Sequence, residues 1–281
     1  MTFASLSRLL LCTSCLSTLS WAGSIFLTGH DPDFHADDSV GAQHINQVAI
    51  SFIEDPGFNP FSATIHKFLF VQSNISVPGG HRDGKNGLIA SGYSATTDFD
   101  TVDASSLNTA LDGLGTLYRG LVVASDFGGI LTAAELTILN SRSPDIIHFL
   151  NNGGGLYAMA ESNGGAGLTG NLPKFGFLPF VVTSTQLNEG EGGDTVTPFG
   201  ASLGLTNSDV NSNFSHNVFT SASGMNIVDV DASGHILSLA VRSQVTSSGV
   251  VPEPSSWVLF GSAGLALLRA ARRRAESRRK D

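Results

Sequence analysis

Short apolar runs that alternate with segments of helical periodicity predict an α/β fold, a parallel sheet covered by helices on both faces. Two observations carry the expectation. Ser24–Thr28, Leu121–Ser125 and Leu156–Ala160 are almost wholly apolar, as strands buried on both sides are, and do not alternate with polar residues. The spacers between such runs are long enough to hold the helices that right-handed parallel crossovers need. Residues 23–242, 220 in all, suffice for one domain with a sizeable core and show no internal repeat.

Taken in order, Ser24–Thr28 is the first strand, and Asp37–Ile53 is a helix with Gly41, Ile45, Val48 and Phe52 on one face. Asp37 and Asp38 suit the positive end of that helix. After the Asp55-Pro56-Gly57 break comes the strand Lys67–Gln72, then a Gly-rich loop and a weaker strand at Phe99–Val102. Leu107, Leu111 and Leu114 mark a helix leading to Leu121–Ser125. Thr132-Ala133-Ala134-Glu135 is a capping box that opens the next helix. Ser143-Pro144 restarts helix at a favoured proline position, Asn152-Gly153 ends it, and Leu156–Ala160 is again a strand. Beyond Phe175 the pattern loosens into Leu178–Thr183, Asn226–Val230 and His235–Ala240, pieces suited to an edge extension or a small hairpin layer.

The two ends read as address labels. Residues 1–22 have the form of a signal peptide, with Arg8 ahead of Leu9, Leu10, Leu11, Cys12 and Leu16, and cleavage expected after Ala22. The run is too short to span a bilayer, and neither cysteine follows the usual small-residue lipobox. Cys12 and Cys15, the only cysteines, both fall inside this peptide. The mature chain is therefore expected to lack disulfides, thiolate metal sites and any cysteine nucleophile.

Charge is uneven. From Gly23 to Val251 there are 7 Lys and Arg against 21 Asp and Glu, a net of −14, whereas Arg269, Arg272, Arg273, Arg274, Arg278, Arg279 and Lys280 crowd the last 13 residues. Such a body repels nucleic acid and anionic membrane, so neither is an expected partner. Its acidic side chains suit divalent cations or simply solubility.

After the polar, flexible stretch Ser243–Gly249 comes Pro252-Glu253-Pro254, then an apolar helix expected at Trp257–Leu268 with Arg269 snorkelling, then the arginine cluster. The arginines hold their end on the cytoplasmic side and leave the body outside. This arrangement resembles the PEP-CTERM sorting signal: a Pro-Glu-Pro motif, a transmembrane helix and a terminal basic cluster. The resemblance implies recognition by an exosortase, a membrane cysteine transpeptidase, with cleavage near Pro252-Glu253-Pro254. Release or transfer to the cell surface or extracellular matrix would follow, as in Gram-negative bacteria that make exopolysaccharide and biofilm. An ordinary C-terminal anchor would give the same topology. The expected divisions are a signal peptide (1–22, removed by signal peptidase), the α/β domain (23–242), a linker with the motif (243–254) and a transmembrane helix with basic tail (255–281).

Ligands of parallel sheets bind beyond the C-terminal ends of the strands, so the residues after each strand are the candidates. Gly29-His30-Asp31-Pro32-Asp33-Phe34-His35 follows the first strand, Ser73-Asn74 and Gly80-His81-Arg82-Asp83 the second. Asp126-Phe127-Gly128-Gly129 and Glu161-Ser162-Asn163-Gly164-Gly165 follow later ones. His30, Asp31, Asp33 and His35 are dense in imidazole and oxygen ligands and, with Asp126 and Glu161, suit a divalent metal. Alternatively Asp33 or Asp37 caps the following helix, and the histidines are solvated loop residues. Glu161 or Ser162 sits where nucleophile elbows occur, without the G-x-S-x-G pattern, and Ser162-Asn163 also suits a turn whose N–H groups hold an anion or a sugar hydroxyl.

The stretch LVVASDFGGILTAAELTILN…IIHFLNNGGGLYAMAES resembles the central part of class I glutamine amidotransferase-like domains, and His216-Asn217-Val218-Phe219 resembles their late "HPVF" segment. The resemblance implies a flavodoxin-like sheet with a pocket at its C-terminal edge. Where those domains carry a cysteine, this chain has Ala160, Glu161 and Ser162, so glutamine hydrolysis through a thioester is excluded. The expectation is a non-catalytic domain that binds a ligand, by context a carbohydrate, through His30, Asp31, Asp126, Glu161 and Asn163. A metal- or carboxylate-dependent hydrolase of extracellular glycan, using Glu161 with His30, Asp31 or Asp126, is the alternative. A purely structural matrix protein is the third. Trp21 and Trp257, the only tryptophans, lie in the targeting segments, which favours a recessed pocket over a flat stacking platform.

Overall fold

The computed structural model describes residues 22–73, 83–126, 131–159, 172–187, 193–212, 215, 217–246 and 249–252. In chain order the first half contains β1 (Gly23–Thr28), α1 (Pro32–His35), α2 (Val40–Glu54), β2 (Lys67–Val71), α3 (Gly84–Ala90), β3 (Phe99–Val102), α4 (Ala104–Ala110), β4 (Tyr118–Val123), α5 (Ala133–Ser141), α6 (Ser143–Asn151) and β5 (Gly155–Met159). The second half contains β6 (Ser184–Gln186), β7 (Thr195–Val196), α7 (Pro198–Ser202), α8 (Asn207–Val210), β8 (Asn217–Phe219), β9 (Asn226–Val230), β10 (Ile236–Thr246) and β11 (Gly249–Pro252).

These strands make one mixed sheet in the order β3-β2-β4-β5-β1-β10-β8-β6, with β9 and β11 on β10 and β7 on β9. Its first half is the expected parallel sheet, since β2 runs parallel to β3 and β4, β4 to β5, and β5 to β1. Each strand feeds alternate side chains to opposite faces. Ile25, Leu27, Leu69, Val71, Leu121, Val123 and Leu156 pack with Leu107, Leu136, Leu139, Ile146 and Leu150 of α4–α6. Phe26, Phe68, Phe70, Val122 and Tyr157 pack on the other face with Ile45, Ala49, Phe52 and Ile53 of α2 and Leu88 of α3. Helices thus cover both faces of the parallel half.

The second half supplies the expected edge extension in hairpins, which makes the sheet mixed. β10 lies antiparallel to β1, and β6, β8, β9 and β11 continue in hairpin fashion. Only Asp231–His235, with Gly234 in the left-handed region at φ 86°, connects β9 to β10, and a parallel crossover needs a dozen residues or more. The strand order bears on the flavodoxin expectation as well. β2 to β5 fill the 2-1-3-4 part of the flavodoxin order 2-1-3-4-5, but the fifth place is held by β1, which precedes them in the chain.

Other boundaries move for local reasons. α2 starts at Val40 rather than Asp37, because the hydroxyl of Ser39 accepts from Ala42 N at 3.2 Å and caps it. Leu178–Thr183 is not a strand. Phe175, Phe177, Leu178 and Phe180 are buried on successive turns, and β6 begins at Ser184. The polar stretch from Ser243 is not a flexible linker either, since β10 runs on to Thr246 and β11 pairs back on it. Val241, Ser243 and Val245 are buried in alternation, a strand signature hidden by the serines. Among the described residues no helix is long and apolar enough to cross a membrane. The expected signal peptide up to Trp21 and the expected helix Trp257–Leu268 lie outside them.

Candidate functional site

The loop after β1 is pinned on both sides. Gly29 N donates to Leu237 O at 2.7 Å, and Asn217 N donates to Gly29 O at 3.3 Å. A Cβ on Gly29 would stand 2.0 Å from Asn217 O, so only glycine admits this approach. His30 follows, fully buried, its backbone N donating to Thr28 Oγ1 at 3.0 Å and its Nε2 lying 2.7 Å from Asp229 Oδ2. Asp194 is buried beside this pair. Burial, helped by the like charges of Asp229 and Asp231 and opposed by His30, lifts its carboxyl from 3.8 to about 6. Asp231 turns toward the hairpin, accepting from Ser233 N and His235 N at 2.8 Å and lying 2.6 Å from His235 Nδ1.

Asp33, on the single turn of α1, reaches across to the end of β4. Its carboxylate accepts from Ser125 N at 2.9 Å and from Ser125 Oγ at 3.0 Å. Those bonds favour the ionised form, yet complete burial outweighs them and lifts the carboxyl to about 6. Beneath it Tyr157 donates to Asn46 Oδ1 at 3.0 Å, and Asn46 in turn donates to Pro32 O at 2.9 Å, so the α1 turn is held from below. The next residue of the β4 loop, Asp126, is buried and ion-paired with Lys174, whose ammonium burial lowers to about 8.

The structure therefore places His30, Asp31, Asp33 and Asp126 at the C-terminal edge of the parallel strands, as expected. It sends them to different partners: His30 to Asp229, Asp33 to Ser125, Asp126 to Lys174, and Asp31 to within 3.4 Å of His35. Among the described residues no three His, Cys, Asp or Glu side chains gather in a way that would hold a metal ion, so the divalent-metal expectation finds no ligand set there. Nor is His30 or Asp33 a solvated loop residue or a helix cap. Glu161, Ser162, Asn163, His81, Arg82, His216 and Phe127–Gly129 lie outside the described residues, as do Glu253 and Pro254, while Pro252 closes β11.

All six buried aspartates among the described residues, Asp31, Asp33, Asp126, Asp194, Asp229 and Asp231, lie at this one edge. A cavity of about 650 Å³ opens at the opposite edge, beside the starts of β2 and β4. Its two cationic side chains are already paired, Lys67 to Asp100 and Arg119 to Glu54, each at 2.6 Å, and Asp98 accepts from Ser94 N at 2.7 Å.

A model of the PEP-CTERM protein-sorting motif matches residues 250–274. That motif is a recognition signal for exosortase processing, and it marks this chain as an exported protein with a C-terminal sorting tail. No curated protein and no solved structure matches the chain. The first residues of the PEP-CTERM match, 250–252, are those of β11, so sorting signal and folded body meet on the sheet.

Sequence reasoning missed Ser125, Lys174, Asp194, Asp229 and Asp231. Asp229 carried a signal, a carboxylate inside the expected strand Asn226–Val230, where an unpartnered charge has no place. Asp194 and Lys174 carried none.

Proposed function

We propose that this exosortase-processed, exported protein is a surface or extracellular-matrix protein. In this reading its body binds a neutral, hydroxyl-rich ligand, a carbohydrate, at the C-terminal edge of the sheet, and the ligand belongs to the exopolysaccharide of a biofilm. The observation that carries the reading is the gathering of every buried aspartate among the described residues at that edge. Burying a carboxylate is costly, and six of the eight carboxylates buried among the described residues are gathered here, the other two being Glu54, paired with Arg119, and Glu135 in the α5 capping box. Carboxylates accept hydrogen bonds from sugar hydroxyls and repel anions, which suits a neutral glycan. The scaffold in this reading is a flavodoxin-like sheet with its fifth place taken by the N-terminal strand, related to amidotransferase-like domains without their cysteine. Asp126 and Asp194 are the side chains assigned to the ligand; Glu161 and Asn163, expected from the sequence to contribute, lie outside the described residues.

The test is calorimetric titration of the processed protein with a panel of neutral oligosaccharides. Saturable binding that weakens about tenfold in Asp126→Asn is expected, the worth of one charge-assisted hydrogen bond. An inert panel, or a variant that binds like the parent, rejects the reading. Sustained release of reducing ends would move the assignment to a carboxylate-based hydrolase.

A further inference from the structure

The start of the sorting motif is part of the folded sheet. β11 pairs antiparallel with β10, setting Gly249 opposite Thr246, Val250 opposite Val245, Val251 opposite Gln244 and Pro252 opposite Ser243. On the far side of β10, beyond the first residue of β1, the side chain of Asn151 at the end of α6 replaces a strand. Val245 N donates to Asn151 Oδ1 at 2.9 Å, and Asn151 Nδ2 donates to Val245 O at 3.1 Å. Backbone groups along a strand point alternately to its two sides, so those of Gln244 and Thr246 face β11 while those of Ser243 and Val245 face away. Pro252 thus stands in a non-hydrogen-bonded position, where its missing N–H weakens nothing. This register lets the strand run directly into the motif.

We propose that the edge of β10 is the seat of the sorting segment, and that exosortase acts on the form in which β11 has left that seat. Enzymes that cleave peptide bonds take the substrate backbone as an extended strand and bond to it directly, which a strand already laddered to β10 cannot fully offer. Reach points the same way. From Pro252 to Trp257, where the apolar stretch opens, five residues span at most ~18 Å, whereas from Thr246 eleven residues span ~40 Å. Opening β11 more than doubles the tether between body and membrane. The inference rests on the sorting motif and not on the carbohydrate reading.

The test is pulse–chase of the full chain in exosortase-bearing cells. Positions 245 and 250 are register partners in a non-hydrogen-bonded pair, where Cα atoms stand about 4.5 Å apart, so Val245→Cys with Val250→Cys is within the span of a disulfide. The chain has no other cysteine after Cys15. The oxidised pair should be processed at least about tenfold more slowly than Val245→Cys alone, with reductant restoring the rate. Gln244→Pro removes a ladder donor and should be processed roughly threefold to tenfold faster. Processing of the oxidised pair at the single-variant rate, or a Gln244→Pro chain processed no faster, overturns the proposal. So do thiols that stay open to alkylation in the exported chain, because the strands then do not pair.

Discussion

Asp33 concentrates the energetics of the edge in one side chain. Its carboxyl is lifted from 3.8 to about 6, so the folded chain holds this proton more tightly than the unfolded one. The stability linked to it is complete below the unfolded value and is lost as pH rises through about 6. A shift of that size corresponds to about 3 kcal/mol. Urea unfolding should therefore show the parent losing about 2 kcal/mol relative to Asp33→Asn between about pH 4.5 and about pH 7. Parallel pH profiles for the two proteins would contradict the assignment. At the opposite edge burial lifts Glu54 to about 7 in spite of Arg119, its partner at 2.6 Å. Arg119→Met removes that partner and should lift the Glu54 carboxyl higher still, read in the same assay as a stability loss relative to the parent that grows as pH rises above about 7, whereas parallel profiles would mean that water reaches Glu54.

Between elements, the tight points are backbone against backbone. A Cβ on Gly87 of α3 would lie 2.0 Å from Asp33 O, and one on Gly155 of β5 would lie 2.3 Å from Ile53 O in α2. Gly155→Ala should lower stability by about 1–3 kcal/mol through overpacking. Gly87→Ala should do so too and, by displacing α1, should also flatten the pH dependence that Asp33 confers. A Gly87→Ala protein with the parent's pH profile would show that α1 and α3 move independently. This scale also shows how much the sequence discloses. Lys67–Gln72, Phe99–Val102, Asn226–Val230 and the Thr132–Glu135 capping box are visible because apolar runs and caps are local signals. The return of β10 beside β1 is not, because pairing Gly23 with Ser243 depends on contacts 220 residues apart. Leu178–Thr183 misleads for a related reason: its apolar side chains are buried by turns, which composition does not distinguish from a strand.

Over the whole molecule, the site is half legible. His30, Asp31, Asp33 and Asp126 stand out because they directly follow strands that sequence pattern locates. Asp194, Asp229 and Asp231 join them only once hairpins from the second half close on β1 and β10. The proposed glycan site at this edge, and not in the cavity beside Lys67 and Arg119, rests on their joint burial together with the sorting tail. Hydrogen–deuterium exchange of the processed protein with and without saturating neutral polysaccharide tests that placement most directly. Exchange should slow in the backbone of residues 29–36, 124–126 and 193–196; no protection there, or protection confined to residues 64–67 and 116–119, would rule out a glycan at this edge.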